Sequence, residues 1–142
     1  MPGVVAVVLR GDKFLVIRRS QHVRSPGKYC FPGGSIEAGE TEEAAVMREF
    51  AEELGATVTP LARLWTSLTV TNVALAWWQV KLAADATLTL NPLEVESAHW
   101  LTRGEALGLP ELLASNRDFY EAWARGDFVL QSDNAPRPDS SG

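Results

Sequence analysis

Three glutamates, Glu49, Glu52 and Glu53, fall within five positions of the stretch "REFAEEL", residues 48–54. On a helix, at about 100° per residue, Glu52 and Glu53 lie roughly 60° to one side and 40° to the other of Glu49, so the three carboxylates share a face. Val46, Met47, Phe50, Ala51 and Leu54 occupy the opposite arc, which predicts that this arc packs on a sheet while the acids look outward. Helix stability opposes the arrangement. Glu49 and Glu53 are a like-charge i,i+4 pair, costing about 0.2–0.5 kcal/mol, close to the negative end of the helix dipole. A solvated acidic face is the plain explanation. A hard divalent cation, which prefers carboxylate oxygens and keeps waters beside them, removes the conflict and accounts better for three acids in so short a span.

A cation held in this way usually joins protein carboxylates to substrate phosphates, and the chain has a basic segment to match. Residues 1–28 contain Arg10, Lys13, Arg18, Arg19, Arg24 and Lys28 against one acid, Asp12. The asymmetry fits an anion-facing surface or, more simply, a solvated strand face. A formal net charge of −5 argues against a coat for nucleic-acid polymers, whose binding needs Lys and Arg on the phosphate backbone, and leaves small anionic ligands. Cys30 is the only cysteine, so an internal disulfide is excluded and a reducing, cytoplasmic compartment is expected. The apolar run "GVVAVVL" is too short for a membrane span and lacks the flanks of a signal peptide, so no membrane partner is expected.

The elements that must position these residues can be read in outline. At 142 residues, the chain has the length of one domain. "VVAVVLRGDKFLVIRR" predicts a hairpin turning at Gly11-Asp12. "SQHVRSPGKYCFPGG", with two prolines and three glycines, predicts a sharply bending loop. It leads into a helix over about 42–54, with Thr41 as cap, Glu42 and Glu43 at the positive end of the dipole and Gly55 as a left-handed stop. A second strand pair is expected over 61–70 and 73–82 around Thr71-Asn72, then a strand in "ESAHWLT" and a helix within 110–126. Residues 1–128 are assigned to one domain and 129–142, polar and proline-bearing, to a disordered tail. Strands, helix, strands, helix in this order predict an α/β or α+β sandwich, a mixed sheet held between helices.

The stretch "GGSIEAGETEEAAVMREFAEELGA" resembles the signature of the Nudix hydrolases, G-x5-E-x7-R-E-U-x-E-E-x-G-U, where U is a bulky aliphatic residue. Gly34, Glu40, Arg48, Glu49, Glu52, Glu53 and Gly55 all fall in register. Phe50 and Ala56 depart from the usual aliphatic residues at two packing positions. The hairpin, the "FPG" entry and "EVESAHWL" extend the likeness over most of the chain. The resemblance implies an α/β fold of the α/β/α sandwich type and a hydrolase acting on a phosphoanhydride of a nucleoside diphosphate linked to a variable group. A nucleoside triphosphate or nucleotide sugar is the first expectation. Coenzyme A, ADP-ribose, or a module that binds a nucleotide without hydrolysing it are the alternatives. It further implies that Glu49, Glu52, Glu53 and the Gly33 carbonyl ligate Mg²⁺ or Mn²⁺, and that Glu52 or Glu53 serves as general base. Arg48 would hold a carboxylate with its planar fork, with Glu40 in a similar supporting part, and Glu94, six residues before Trp100, would be a further ligand or base. A homodimer is compatible with the resemblance, although no apolar stripe marks an interface.

The substrate side is less legible. Arg18, Arg24 and Lys28, with Arg19, are candidates to meet phosphates. Trp65, Trp77, Trp78 and Tyr120 are candidates to stack a base, or more simply core residues. Asn116 resembles an asparagine with which some nucleotide-sanitising members of the family read a purine edge, although helix capping is a cheaper explanation. Ser20, Arg24 and Gly27 weakly resemble the coenzyme A-cleaving branch. His22, His99 and Cys30 are expected to be structural.

Overall fold

The computed structural model describes residues 1–131. β1 (Gly3–Arg10) and β2 (Lys13–Arg19) form the expected hairpin, with Gly11 in the left-handed region at its turn. They pair only at Leu9–Phe14 and Arg10–Lys13 and then diverge. The gap takes in two short strands that the glycines and prolines had disguised as loop. β3 (Tyr29–Cys30) pairs with β2, and β4 (Gly33–Ser35) pairs with β1. A side chain on Gly33 would run into the Val4 carbonyl, so only glycine lets β4 lie this close to β1.

β5 (Val58–Leu68) and β6 (Ala74–Leu82) are antiparallel around a turn in which Asn72 takes a positive φ of 64°. β6 runs parallel to β1 from Gly3–Leu75 to Val8–Val80, and β7 (Val95–Thr102) is antiparallel to β2. The sheet therefore has the order β3-β2-β1-β6-β5, with β4 added on β1 and β7 on β2.

Both faces of this mixed sheet are covered. Val4, Ala6 and Val8 point to one side, beneath Val46, Phe50 and Leu54 of α1 (Glu42–Leu54). Val5 and Val7 point to the other, beneath Phe119, Tyr120 and Ala122. These three stand on a later helix, which follows the short α2 (Arg103–Leu107) and is α3 (Ala114–Ala124). A strand buried on both faces reads as an unbroken apolar run, which is what "VVAVVL" is. The expected α/β/α sandwich is present. α2 was not anticipated; it is one turn long and depends on a reciprocal cap between Thr102 and Glu105.

α1 begins and ends as read. Thr41 accepts the Ala44 N–H at 3.1 Å, and Gly55 closes the helix at φ 63°. Its roll about its own axis differs from expectation: Met47 and Ala51 are exposed, whereas Glu53 is buried with Ala45, Val46, Phe50 and Leu54. Residues 129–131 also depart from the expected tail. Gln79 and Gln131 exchange hydrogen bonds of 2.7 and 2.8 Å, which tie the chain to β6. The rest of the expected tail lies outside the described residues. Among the described residues, no helix is long and apolar enough to cross a membrane.

Candidate active site

The roll of α1 turns one flank of its acidic face inward, onto β4. Gly34 is the reason it can. A side chain there would occupy the space of the Glu49 carboxylate, so the missing Cβ lets that carboxylate lie against the strand. One turn on, Glu53 is 5% exposed, and its Oε1 accepts the Gly33 N–H at 3.0 Å. A third acid arrives from the loop before β7. Ligand atoms of Glu49, Glu53 and Glu94 all lie within 4.8 Å of one another. With Arg19, Gly33, Gly34 and Ser35 they line a polar cavity of about 240 Å³.

Burial pushes the Glu53 carboxyl up to about 8; the Gly33 N–H and Arg19 pull it down, and the charges of Glu49 and Glu94 push it further up. Glu49 is also raised, first by burial, with Arg48 opposing. Two carboxyls raised in this way, with a third acid converging on them, are a fitting ligand set for a hard cation.

Glu52, expected among these ligands, is not in the group. It points to the exposed side of α1 and meets Arg48 at 3.3 Å. Arg48 also forks onto Glu40, with Nε–Oε2 at 2.7 Å and Nη2–Oε1 at 2.9 Å, and donates to the Ser35 carbonyl and to Glu49 at 3.0 Å. The guanidinium holds the Glu40 carboxyl down at about 2. Arg48 thus fastens the signature loop to the helix.

A second cavity, of about 490 Å³, adjoins the first through Arg19, Gly33, Gly34 and Ser35, and reaches Phe31, Trp77 and Asn116. Asn116 is 1% exposed and lies inside α3, whose cap position is Leu113, so it is not a cap. Its Oδ1 accepts the Phe31 N–H at 2.8 Å, which orients the amide, and its Nδ2 has no partner among the described residues. Trp77 is fully buried, donates to Ser67 and stacks on Phe119. Tyr120 is core, and Trp65 and Trp78 are partly buried against the two cores.

Of the basic candidates, Arg24 lines the larger cavity, but Arg18 and Lys28 line neither. Arg18 is engaged with Glu96 at 3.3 Å and the Gly27 carbonyl, and Lys28 is exposed on the loop. Arg19, by contrast, borders both cavities. Alternation along Leu15, Ile17 and Arg19 signals it, because Leu15 and Ile17 belong to the core beneath α1. Ser20 uses its hydroxyl on the Leu93 carbonyl, and Cys30 is buried with its thiol raised to about 11 by desolvation.

A family model described as the NUDIX domain matches residues 1–123. A protein of Deinococcus radiodurans named Nudix hydrolase is 34% identical over 118 residues, covering 75% of this chain and 63% of that protein. The 8-oxo-dGTP diphosphatase of Escherichia coli is 46% identical over 46 residues, covering 32% of this chain and 36% of that enzyme. The crystal structure of a MutT protein from Methanosarcina mazei superposes with a TM-score of 0.73 at 28% identity, covering 89% of this chain and 94% of that one. The chain spans less than two thirds of the length of the curated relatives it matches, such as the 42% matched in a Mycobacterium tuberculosis protein.

Proposed function

The chain belongs to the Nudix family, and from that premise we propose that it hydrolyses a phosphoanhydride bond in a small nucleoside diphosphate derivative with a divalent cation, Mg²⁺ or Mn²⁺. One observation carries this reading: Glu49, Glu53 and Glu94 converge on a polar cavity without a basic side chain neutralising Glu53 or Glu94 at salt-bridge distance among the described residues. Glu49, Glu53, Glu94 and the Gly33 carbonyl would hold the cation. Glu52 stays in the proposed set, because of the two helix acids on Arg48 it is the more weakly held, at 3.3 Å against 3.0 Å. When bound, the cation would neutralise phosphate oxygens and lower the pKa of the attacking water.

The chain's own residues supply the rest. The Gly33 N–H fixes the rotamer of Glu53. Arg19, which borders both cavities, would meet a substrate phosphate, a role its position supports. Water adds to phosphorus, the bridging P–O bond breaks, and the water's proton passes to a carboxylate facing the cavity, Glu53 or Glu94. Arg48 keeps the loop and helix in register and touches no reacting atom.

For the substrate we favour a (deoxy)nucleoside triphosphate. The larger cavity has an aromatic wall, and Asn116 presents an unpartnered N–H donor to any occupant with an acceptor edge, as a purine carbonyl or ring nitrogen has. A panel of nucleoside triphosphates, ADP-ribose, dinucleoside polyphosphates and coenzyme A, each with Mg²⁺, tests this. Release of a nucleoside monophosphate from a triphosphate, lost by at least about 10²-fold in Glu53→Gln, is the expected result. Full turnover in Glu53→Gln, or no hydrolysis of any member of the panel, would refute it.

A further inference from the structure

Glu94 is the one carboxylate of the cluster that does not stand on α1, and Glu49 and Glu53 repel it. A loop glutamate has several side-chain torsions with which to swing away, so its presence in the cluster requires a restraint. Resting on the cation site described above, we propose that Asn91 is the positioning residue that aims Glu94 into the cavity.

Asn91 Nδ2 donates to Glu94 Oε2 at 3.1 Å, while Asn91 Oδ1 accepts the Leu93 N–H at 3.1 Å. The second bond fixes which way the amide faces, because a flipped amide would set its oxygen against the carboxylate. The Asn91 backbone N–H donates to the carbonyl of Glu53 at 2.9 Å. One residue therefore joins the helix that carries Glu53 to the side chain of Glu94, and fixes the spacing between two acids that come from different elements.

The donor is neutral, which is what a cation site needs. An arginine at this place would hold Glu94 but cancel its charge, as Arg48 does for Glu40. An amide holds one oxygen, keeps the full negative charge and leaves the other oxygen unoccupied by Asn91. The loop backbone has an independent anchor. The Ser20 hydroxyl donates to the Leu93 carbonyl at 2.8 Å, and the Ser20 N–H donates to the Glu94 carbonyl at 3.0 Å. Loss of the Asn91 amide should therefore release the Glu94 side chain and leave the loop in place.

Calorimetric titration with Mn²⁺ alone tests this without turnover. Asn91→Asp keeps the turn acceptor and removes the donor; Asn91→Ser does the same without added charge, its hydroxyl being too short for Glu94. Both are expected to bind Mn²⁺ at least about 10-fold more weakly than the parent, with metal-free melting temperatures unchanged. Because Asn91 acts through Glu94, Asn91→Asp in a Glu94→Gln background should add less than about 2-fold. Binding that is unchanged or tighter in both single variants, or an equal loss in the Glu94→Gln background, would overturn the role of Asn91 alone. A parent protein that binds no Mn²⁺ would overturn the cation site, and this inference with it.

Discussion

Two groups of carboxylates meet at the carboxyl-terminal half of α1 and are held in opposite ways. At the rim, Glu40 and Glu52 meet the guanidinium of Arg48, and the Glu40 carboxyl is pulled down to about 2. In the cavity, Glu53 and Glu94 are held by neutral N–H groups from Gly33 and Asn91, and the Glu53 carboxyl is pushed up to about 8. Glu49 belongs to both, reaching Arg48 with one oxygen while it lies against Gly34. The difference is one of partner: the guanidinium of Arg48 matches the rim carboxylates with a full positive charge, whereas the neutral N–H groups in the cavity orient Glu53 and Glu94 without supplying one.

The largest expected effect comes from displacing the shared member. In Gly34→Ala the new methyl takes the space of the Glu49 carboxylate, a flexible group that can swing aside. Turnover should fall by about 10²-fold, since a displacement of an ångström at a reacting centre costs that much. The Arg48–Glu40 fork is untouched, so the melting temperature should move little. A variant that loses stability and keeps its activity would break the distinction.

A smaller effect should appear in the pH dependence of stability. In the unfolded chain Glu53 ionises near its ordinary value of 4.5, whereas the folded, cation-free protein keeps its proton until about 8. Between those values the folded state binds more protons, so stability contributed by this group falls as pH rises. Glu40 has the opposite sign, with stability lost as pH drops below 4.5 towards about 2. Thermal melts of the cation-free protein should therefore weaken in both directions from about pH 4.5, and saturating Mn²⁺ should remove the decline on the alkaline side. An alkaline decline indifferent to Mn²⁺ would place its origin outside the cavity.

The smallest expected effect is at residues the two regions do not use. Arg18→Ala and Lys28→Ala should change kcat/KM by less than about 2-fold, because neither lines a cavity and exposed charges act weakly in salt. Arg19→Ala, measured alongside, should raise KM.

What was legible in the chain followed local rules. Thr41, Glu42, Glu43 and Gly55 determine the ends of α1 through capping and the dipole, and the ends agree with the expectation. The burial of Glu53 was not legible, because the roll of a helix is set by what it packs against, here two glycines in β4. The same glycines, with Pro32, hid β4 itself, since a two- or three-residue strand held by its neighbours has no period of its own. Glu94 could be placed near the site only by resemblance, as its approach depends on the register of β7 against β2. Arg18 and Arg19 are adjacent and chemically identical, and only the direction of the strand separates them.

Trp77 gives the molecule an optical consequence. Trp77 is among the residues lining the larger cavity, and its indole is fixed by a hydrogen bond to Ser67 and a stack on Phe119. An occupant of that space changes the surroundings of a rigid fluorophore already shielded from water, so binding can be sought as a shift in the protein's own emission, with no label attached and no reaction required.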